Sequence, residues 1–129
     1  FIKSDDIAFA ALFPGWCAGR GLKTAIDILF IDTSHLYEHT VEEIRSWFPY
    51  LAPRCKVVFH DTNLQEIFLR KDGSEGKGWN NERGVIRAIE GYFGCPFDES
   101  RDFFLEKTGW LIRHWTHCNG LLIMDRYEE

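Results

Sequence analysis

The chain has 129 residues, of which 45% are hydrophobic and 27% are charged, and its formal net charge at pH 7 is −5. This length fits a single domain, residues 1–129, and the composition is that of a folded protein rather than a disordered one. The acidic balance argues against nucleic acid or an anionic membrane surface as a partner, and no apolar run approaches the roughly 20 residues that span a bilayer.

The first part of the chain predicts two buried strands. Residues 1–3 (FIK) have the pattern of a strand end, and residues 7–22 predict a helix that breaks near Pro14. Residues 26–31 (IDILFI) and 55–59 (CKVVF) are short apolar runs, each followed by polar residues. We expect both runs to be strands buried on both faces, as in a parallel sheet.

A helix is predicted between these two strands. Thr40 and Glu43 have the spacing of a capping box, which predicts that the helix begins there. Apolar residues then recur at helical spacing, and Pro49 is expected to end or kink the helix. A strand, a helix and a second strand in this order are typical of the right-handed crossover of an α/β fold.

The second half of the chain has a different pattern. Residues 64–84 are polar and glycine-rich, and we expect a mobile surface loop that contacts the substrate. A short helix is predicted at residues 85–93, followed by strands at residues 103–105, 110–115 and 121–124. Asn119-Gly120 precedes the last strand and predicts a hairpin, so an antiparallel pair should follow the parallel strands.

The cysteines bear on the cellular compartment, and the methionine bears on where the natural sequence begins. The cysteines are Cys17, Cys55, Cys95 and Cys118, with no C-x-x-C pair. Their even number leaves disulfides open, but isolated cysteines among apolar residues favour buried thiols in a reducing, cytoplasmic compartment. Met124 is the only methionine and residue 1 is Phe, so we expect the sequence to lack its natural beginning.

Acidic residues follow the predicted strands. Asp5 and Asp6 follow the first strand end, Asp32 follows residues 26–31, and Asp61 follows residues 55–59. Neighbouring strands lie about 4.8 Å apart, so Asp32 and Asp61 should reach one cation at the carboxyl end of the sheet. Oxygen ligands favour Mg²⁺ or Ca²⁺, and an added histidine nitrogen favours Mn²⁺, Fe²⁺ or Zn²⁺.

Two histidines lie beside these carboxylates. His35 is three residues after Asp32 and is either a general base or a structural residue bonded to its loop. His60 precedes Asp61 and is either a metal ligand or a residue packed behind the ligands. His39 is expected to be solvated, and Trp79 in the loop either closes over a substrate or contacts a second copy of the chain.

Residues 26–63 resemble the second half of class I S-adenosylmethionine-dependent methyltransferases. They are similar in particular to the branch of cephalosporin-hydroxylase-type proteins and metal-dependent sugar O-methyltransferases. The resemblance is carried by Asp32, by residues 35–38 (HLYE), by residues 47–51 (WFPYL) and by residues 60–62 (HDT). It implies an α/β fold with a Rossmann-like sheet, of which this sequence would hold the C-terminal portion without the N-terminal half.

The resemblance also implies roles for single residues. Asp5 or Asp6 would read the adenine of S-adenosylmethionine, and Asp32 would also face the cofactor. Asp32 and Asp61 would bind a divalent metal, Mg²⁺ by this resemblance, with His60 where relatives often place a third acidic ligand. His35 would take the proton from the hydroxyl group of a small acceptor, which identifies the reaction as O-methyl transfer.

Two other functions stay open from the residues alone. A metal-dependent hydrolase could use Asp32, His35, His60 and Asp61 to activate water. A non-enzymatic module could instead bury an exposed sheet edge against a second copy of the chain, forming a homo-oligomer.

Overall fold

The computed structural model describes residues 1–64, 67–77 and 82–127. Within them three helices and seven strands are assigned. In chain order they are α1 (Asp6–Ala18), β1 (Ile26–Ile31), α2 (Tyr37–Trp47), a 3-10 turn (Phe48–Tyr50), β2 (Leu51–His60), β3 (Ile67–Leu69), β4 (Glu75–Lys77), α3 (Gly84–Phe93), β5 (Phe103–Lys107), β6 (Trp110–Trp115) and β7 (Leu121–Arg126). The protein is therefore of mixed α/β class.

The main sheet has five strands in the order β1-β2-β7-β6-β5. β1 and β2 pair in parallel, with Ile31 opposite Phe59. β7 is antiparallel to β2, and β6 and β5 follow as antiparallel neighbours. The apolar strand runs and the Asn119-Gly120 turn thus appear in the structure where the sequence predicts them.

One face of the sheet carries the core. The buried side chains come from alternate strand positions and from α2 and α3, and they include Val57, Phe59, Ile86, Ile89, Ile112, Leu122 and Met124. The opposite face leaves Ile28, Phe30 and Phe104 exposed at 69%, 58% and 67%. The prediction that residues 26–31 are buried on both faces is therefore wrong, because β1 alternates between the core and solvent.

Helix α1 begins at Asp6 and ends at Ala18, so it is shorter than the helix predicted at residues 7–22. Asp5 caps it by accepting a hydrogen bond from the Ala8 amide, and Pro14 lies inside the helix without ending it. The break predicted near Pro14 is wrong. Phe9 and Phe13 pack against Trp47 at 6.1 and 5.4 Å between ring centroids, which holds α1 against α2. Residues 1–3 form no strand.

Helix α2 begins earlier than predicted. Leu36 is its N-cap residue and makes no side-chain cap hydrogen bond. Thr40 lies inside the helix and donates its hydroxyl to the Leu36 carbonyl oxygen at 3.0 Å, so the predicted capping box is wrong. Pro49 lies just past the helix, in the 3-10 turn, as expected.

The polar segment at residues 64–84 contains regular structure. β3 and β4 form a small antiparallel hairpin, and α3 already begins at Gly84. Trp79, for which we predict a substrate or oligomer contact, lies outside the described residues. Whether the segment contacts a substrate stays a prediction.

The four cysteines are free thiols. Cys17 and Cys55 are buried as predicted, whereas Cys95 is half-buried and Cys118 is exposed. None of the helices in the described ranges combines the length and apolarity that a membrane-spanning segment needs.

Candidate functional site

Two acidic residues meet at the carboxyl end of the parallel strands. Asp32 directly follows β1 and Asp61 directly follows β2. Because β1 and β2 are parallel neighbours in the sheet, the two residues emerge at the same edge. Asp61 is buried, with 6% of its side chain exposed, whereas Asp32 is 45% exposed.

His35 connects the two carboxylates. Its Nε2 atom lies 2.7 Å from Oδ2 of Asp61 and 4.0 Å from Oδ1 of Asp32. One ligand atom from each of these three residues lies within 4.8 Å of the others, which is close enough for all three to reach one metal ion. The sequence predicts a base role for His35, and the structure also brings it among the potential ligands.

His60 lies on the other side of the Asp61 carboxylate. Its Nδ1 atom is 3.0 Å from Oδ2 of Asp61 and 3.7 Å from Oδ1 of Asp32. Among the described residues, this buried nitrogen has no hydrogen-bond partner. A buried, unpaired nitrogen beside a carboxylate is a suitable ligand atom, and the ligand role predicted for His60 stays a prediction.

The backbone is strained at both central residues. His35 and Asp61 have φ angles of 63° and 59°, in the left-handed region that non-glycine residues seldom occupy. Such conformations cost on the order of 1–3 kcal/mol and persist only where the surroundings enforce them. The turns that follow β1 and β2 therefore aim these two side chains at each other against a local backbone preference.

Two glycines let other elements support these turns. At Gly84, the first residue of α3, a Cβ atom would lie 2.7 Å from the Tyr37 amide nitrogen and would also clash with the His35 carbonyl oxygen. At Gly120, a Cβ atom would lie 2.5 Å from Oγ1 of Thr62. The start of α3 and the β6–β7 turn thus pack directly against the backbone beside His35 and Asp61.

A buried histidine behind the site is missed by the sequence reasoning, which assigns it no role. His114 is 1% exposed, and its Nε2 atom lies 2.9 Å from Oγ1 of Thr62. Its Nδ1 atom lies 2.8 Å from the Arg101 carbonyl oxygen, so the ring donates there and accepts the Thr62 hydroxyl. The only sequence feature that could have predicted the burial of His114 is its position in β6, where it alternates with the core residues Trp110 and Ile112.

The two acidic residues at the start of the chain have separate environments. Asp5 is exposed and caps α1. Asp6 contacts His39, whose Nε2 atom lies 3.2 Å from both of its carboxylate oxygens. His39 is 30% exposed and paired in this way, so the prediction that it is solvated is wrong. The adenine-reading role of Asp5 or Asp6 stays a prediction.

Glu43 joins Asp6 and His39 in a second cluster. Burial and the neighbouring Asp6 carboxyl raise the pKa of Glu43 to about 8. Burial raises the pKa of Asp6, but the neighbouring Glu43 and His39 side chains lower it by more, so that it lies below its usual value. The adjacent carboxyls raise the pKa of His39, again against its burial. The pKa of each group thus depends on the charges of the other two.

The comparisons with known proteins point to a methyltransferase. Residues 3–62 match the family model described as "Methyltransferase domain", and this segment contains all the predicted site residues. An uncharacterized protein, y4gI, of Sinorhizobium fredii is 37% identical over 43 residues, which are 33% of this chain and 5% of that protein. The chain thus corresponds to a small part of this relative. No solved structure matches the chain.

Proposed function

We propose that this domain takes part in methyl transfer from S-adenosylmethionine to a hydroxyl group of a small acceptor. The proposal is supported by the match of residues 3–62 to a methyltransferase domain. The single structural observation that carries it is the contact of 2.7 Å between Nε2 of His35 and Oδ2 of Asp61 at the carboxyl end of parallel strands. This edge of an open α/β sheet is where ligands bind.

His35 is the proposed general base. Imidazole is the side chain that most often serves as a general base at neutral pH. The buried Asp61 carboxylate beside it would stabilise the imidazolium that forms after proton uptake. The acceptor oxygen, freed of its proton, would then attack the methyl carbon of S-adenosylmethionine. The new O–C bond would form as the C–S bond breaks, with S-adenosylhomocysteine as the leaving group.

A divalent metal fits the same cluster. Two carboxylates and an imidazole lie within reach of one ion, and the unpaired Nδ1 atom of His60 adds a fourth possible ligand. We propose Asp32, Asp61 and His60 as the ligands. Mg²⁺, the metal that the resemblance implies, would be held by the two carboxylates alone, whereas direct binding of His60 favours Mn²⁺. The ion would hold the acceptor hydroxyl and lower its pKa, which leaves His35 free to take the proton.

We propose fewer residues of this chain for contact with the cofactor than for the metal and the acceptor. Asp6 is occupied by His39, so Asp5, which is exposed, is the better candidate for reading the adenine. Asp32 is half-exposed and would face the cofactor as well as the metal. The sequence has no glycine-rich G-x-G-x-x-G loop after a strand, so binding is best tested in the protein made from its complete reading frame.

Titration calorimetry with S-adenosylmethionine, with and without Mg²⁺, tests this function. We expect cofactor binding, and we expect methyl transfer to a hydroxylated acceptor to depend on Mg²⁺. Asp61→Asn should abolish the Mg²⁺-dependent activity, whereas Asp98→Asn, which changes an aspartate that is 59% exposed and pairs with Arg101, should change nothing. Absence of cofactor binding in the complete protein would overturn the proposal.

A second function is favoured by one observation. Two imidazoles, those of His35 and His60, approach the same Asp61 oxygen, at 2.7 and 3.0 Å. Mixed histidine and carboxylate ligands are also typical of metal sites that activate water. Phosphoesterase assays with Mn²⁺ or Zn²⁺ separate the two functions, because hydrolysis lost in Asp61→Asn without any need for S-adenosylmethionine would favour the hydrolase.

A further inference from the structure

The second cluster lies where the start of α1 meets α2. It comprises Asp6, His39 and Glu43, and one ligand atom from each lies within 4.8 Å of the others. Nε2 of His39 is central, at 3.2 Å from both Asp6 oxygens and 3.4 Å from Oε1 of Glu43. No residue of this cluster belongs to the Asp32–His35–Asp61 group.

Glu43 is the unusual member of the cluster. It is 1% exposed, and Oε1 accepts a hydrogen bond from the Thr33 hydroxyl at 2.7 Å. Its other oxygen, Oε2, is buried and has no hydrogen-bond partner within residues 1–64, 67–77 and 82–127. Leaving a buried carboxylate oxygen without a partner is costly, and a second carboxylate nearby increases the cost. The arrangement calls for a positive charge or a proton between the two carboxyls.

The cluster opens into a cavity that has room for an ion. The cavity has a volume of about 170 Å³ and lies between α1, β1 and α2. Asp6, Thr33 and Glu43 provide its polar wall, and apolar side chains that include Leu29, Ile31 and Trp47 provide the rest. The unpaired oxygen therefore belongs to a residue that lines a small, mainly apolar space beside the cluster.

We propose that Asp6, His39 and Glu43 form a second divalent-metal site, distinct from the one at the ends of β1 and β2. Two carboxylates and one imidazole suit Mn²⁺ or Zn²⁺ better than Mg²⁺, which prefers an all-oxygen set. The Thr33 hydroxyl donates a hydrogen bond to the Glu43 carboxylate and so orients it. Hydrogen bonds that orient a ligand in this way are common in metal sites. The bound ion would fix the start of α1 to α2 and so stabilise the fold.

Mn²⁺ binding to the chelator-treated chain tests the proposal. Mn²⁺ is the probe because the exposed Cys118 thiol would bind Zn²⁺. We expect His39→Gln to lose one equivalent of bound Mn²⁺, measured by calorimetry and electron paramagnetic resonance, and to lose the rise in melting temperature that Mn²⁺ produces. His117→Gln, a substitution of an exposed histidine, is the matched control and should retain both.

A double variant distinguishes the two proposed metal sites. Asp32→Asn with Asp61→Asn should remove the other equivalent and leave the one that depends on His39. Asp6→Asn is a second test of the His39 site, and it should fold because Asp6 is only partly buried. Unchanged Mn²⁺ stoichiometry and thermal shift in both His39→Gln and Asp6→Asn would overturn the proposal and would mean that Glu43 and Asp6 share a proton instead. That result would leave the proposed methyl transfer untouched.

Discussion

Gly84 packs directly against the backbone of His35. A Cβ atom at position 84 would overlap the His35 carbonyl oxygen and would lie 2.7 Å from the Tyr37 amide nitrogen. The first residue of α3 therefore helps to hold the turn in which His35 has a φ angle of 63°. A glycine far from the site in sequence is thus part of what positions a proposed catalytic side chain.

Gly84→Ala should destabilise the protein and disturb the site. Because the contacts are to backbone atoms, α3 or the His35 turn must shift, at a cost of about 1–3 kcal/mol. Gly91→Ala in the same helix is the matched control, since nothing lies within 4 Å of its Cβ position. It should be neutral or stabilising by up to about 1 kcal/mol. Urea denaturation measures both, and equal effects of the two variants would contradict the packing described here.

Gly120→Ala tests the support beneath Asp61. Gly120 and Gly109 have φ angles of +87° and +80°, so alanine is strained at either position, by roughly 1 kcal/mol. Only at Gly120 does a Cβ atom also meet Thr62 and Asn63. We expect Gly120→Ala to lower the free energy of unfolding by ~1–3 kcal/mol more than Gly109→Ala, and to weaken metal binding by Asp61. Chemical denaturation and Mn²⁺ titration measure the two effects.

His35→Gln distinguishes the role of a general base from that of a metal ligand. If His35 takes the acceptor proton, kcat of the proposed methyl transfer should fall by about 10²–10⁴, with the KM for S-adenosylmethionine unchanged. The metal content should stay the same, because Asp32, Asp61 and His60 are the proposed ligands. A fall in metal content that matches the fall in rate would identify His35 as a ligand instead.

Stability should depend on pH through Glu43. The pKa of Glu43 is about 8 in the folded chain, against a usual value of 4.5. At a pH between these two values, the folded chain therefore keeps a proton on Glu43 that the unfolded chain has released. The free energy of unfolding should therefore fall as the pH rises from about 5 to 8. His39, whose pKa is raised, acts in the same direction as the pH passes 6.5, whereas Asp6, whose pKa is lowered, acts only below about pH 4.

Glu43→Gln should flatten this dependence by about 1–3 kcal/mol over the same range, because glutamine stays neutral. The experiment is done with a chelator, so that no cation replaces the proton. Glu42→Gln is the control, since the Glu42 side chain is 47% exposed and pairs with Arg45 on the surface. A pH dependence that survives in Glu43→Gln as in the parent chain would mean that Glu43 is not the group responsible.

The open face of the sheet bears on oligomer formation. Phe30 and Phe104 are exposed on the same face, in a row that also contains Val58 and Ile123. Such a face is compatible with the predicted contact to a second copy of the chain. Self-association stays a prediction, and sedimentation of the chain measures it.

The sequence alone determined the elements that depend on local patterns. The apolar runs predicted β1 and β2, and each is followed directly by the aspartate that its sequence places there. The helical spacing and Gly94 predicted α3 and its end, where Gly94 takes the left-handed conformation. These features follow from side-chain periodicity and backbone preference, which neighbouring residues largely decide.

Tertiary structure decided which of these residues meet. It brought His35 to Asp61, set Glu43 inside the fold rather than at a helix cap, and buried His114 behind Thr62. It also left one face of β1 exposed, although its composition resembles that of a buried strand. Burial and contacts between distant residues depend on which surfaces pack together, and no local pattern carries that information.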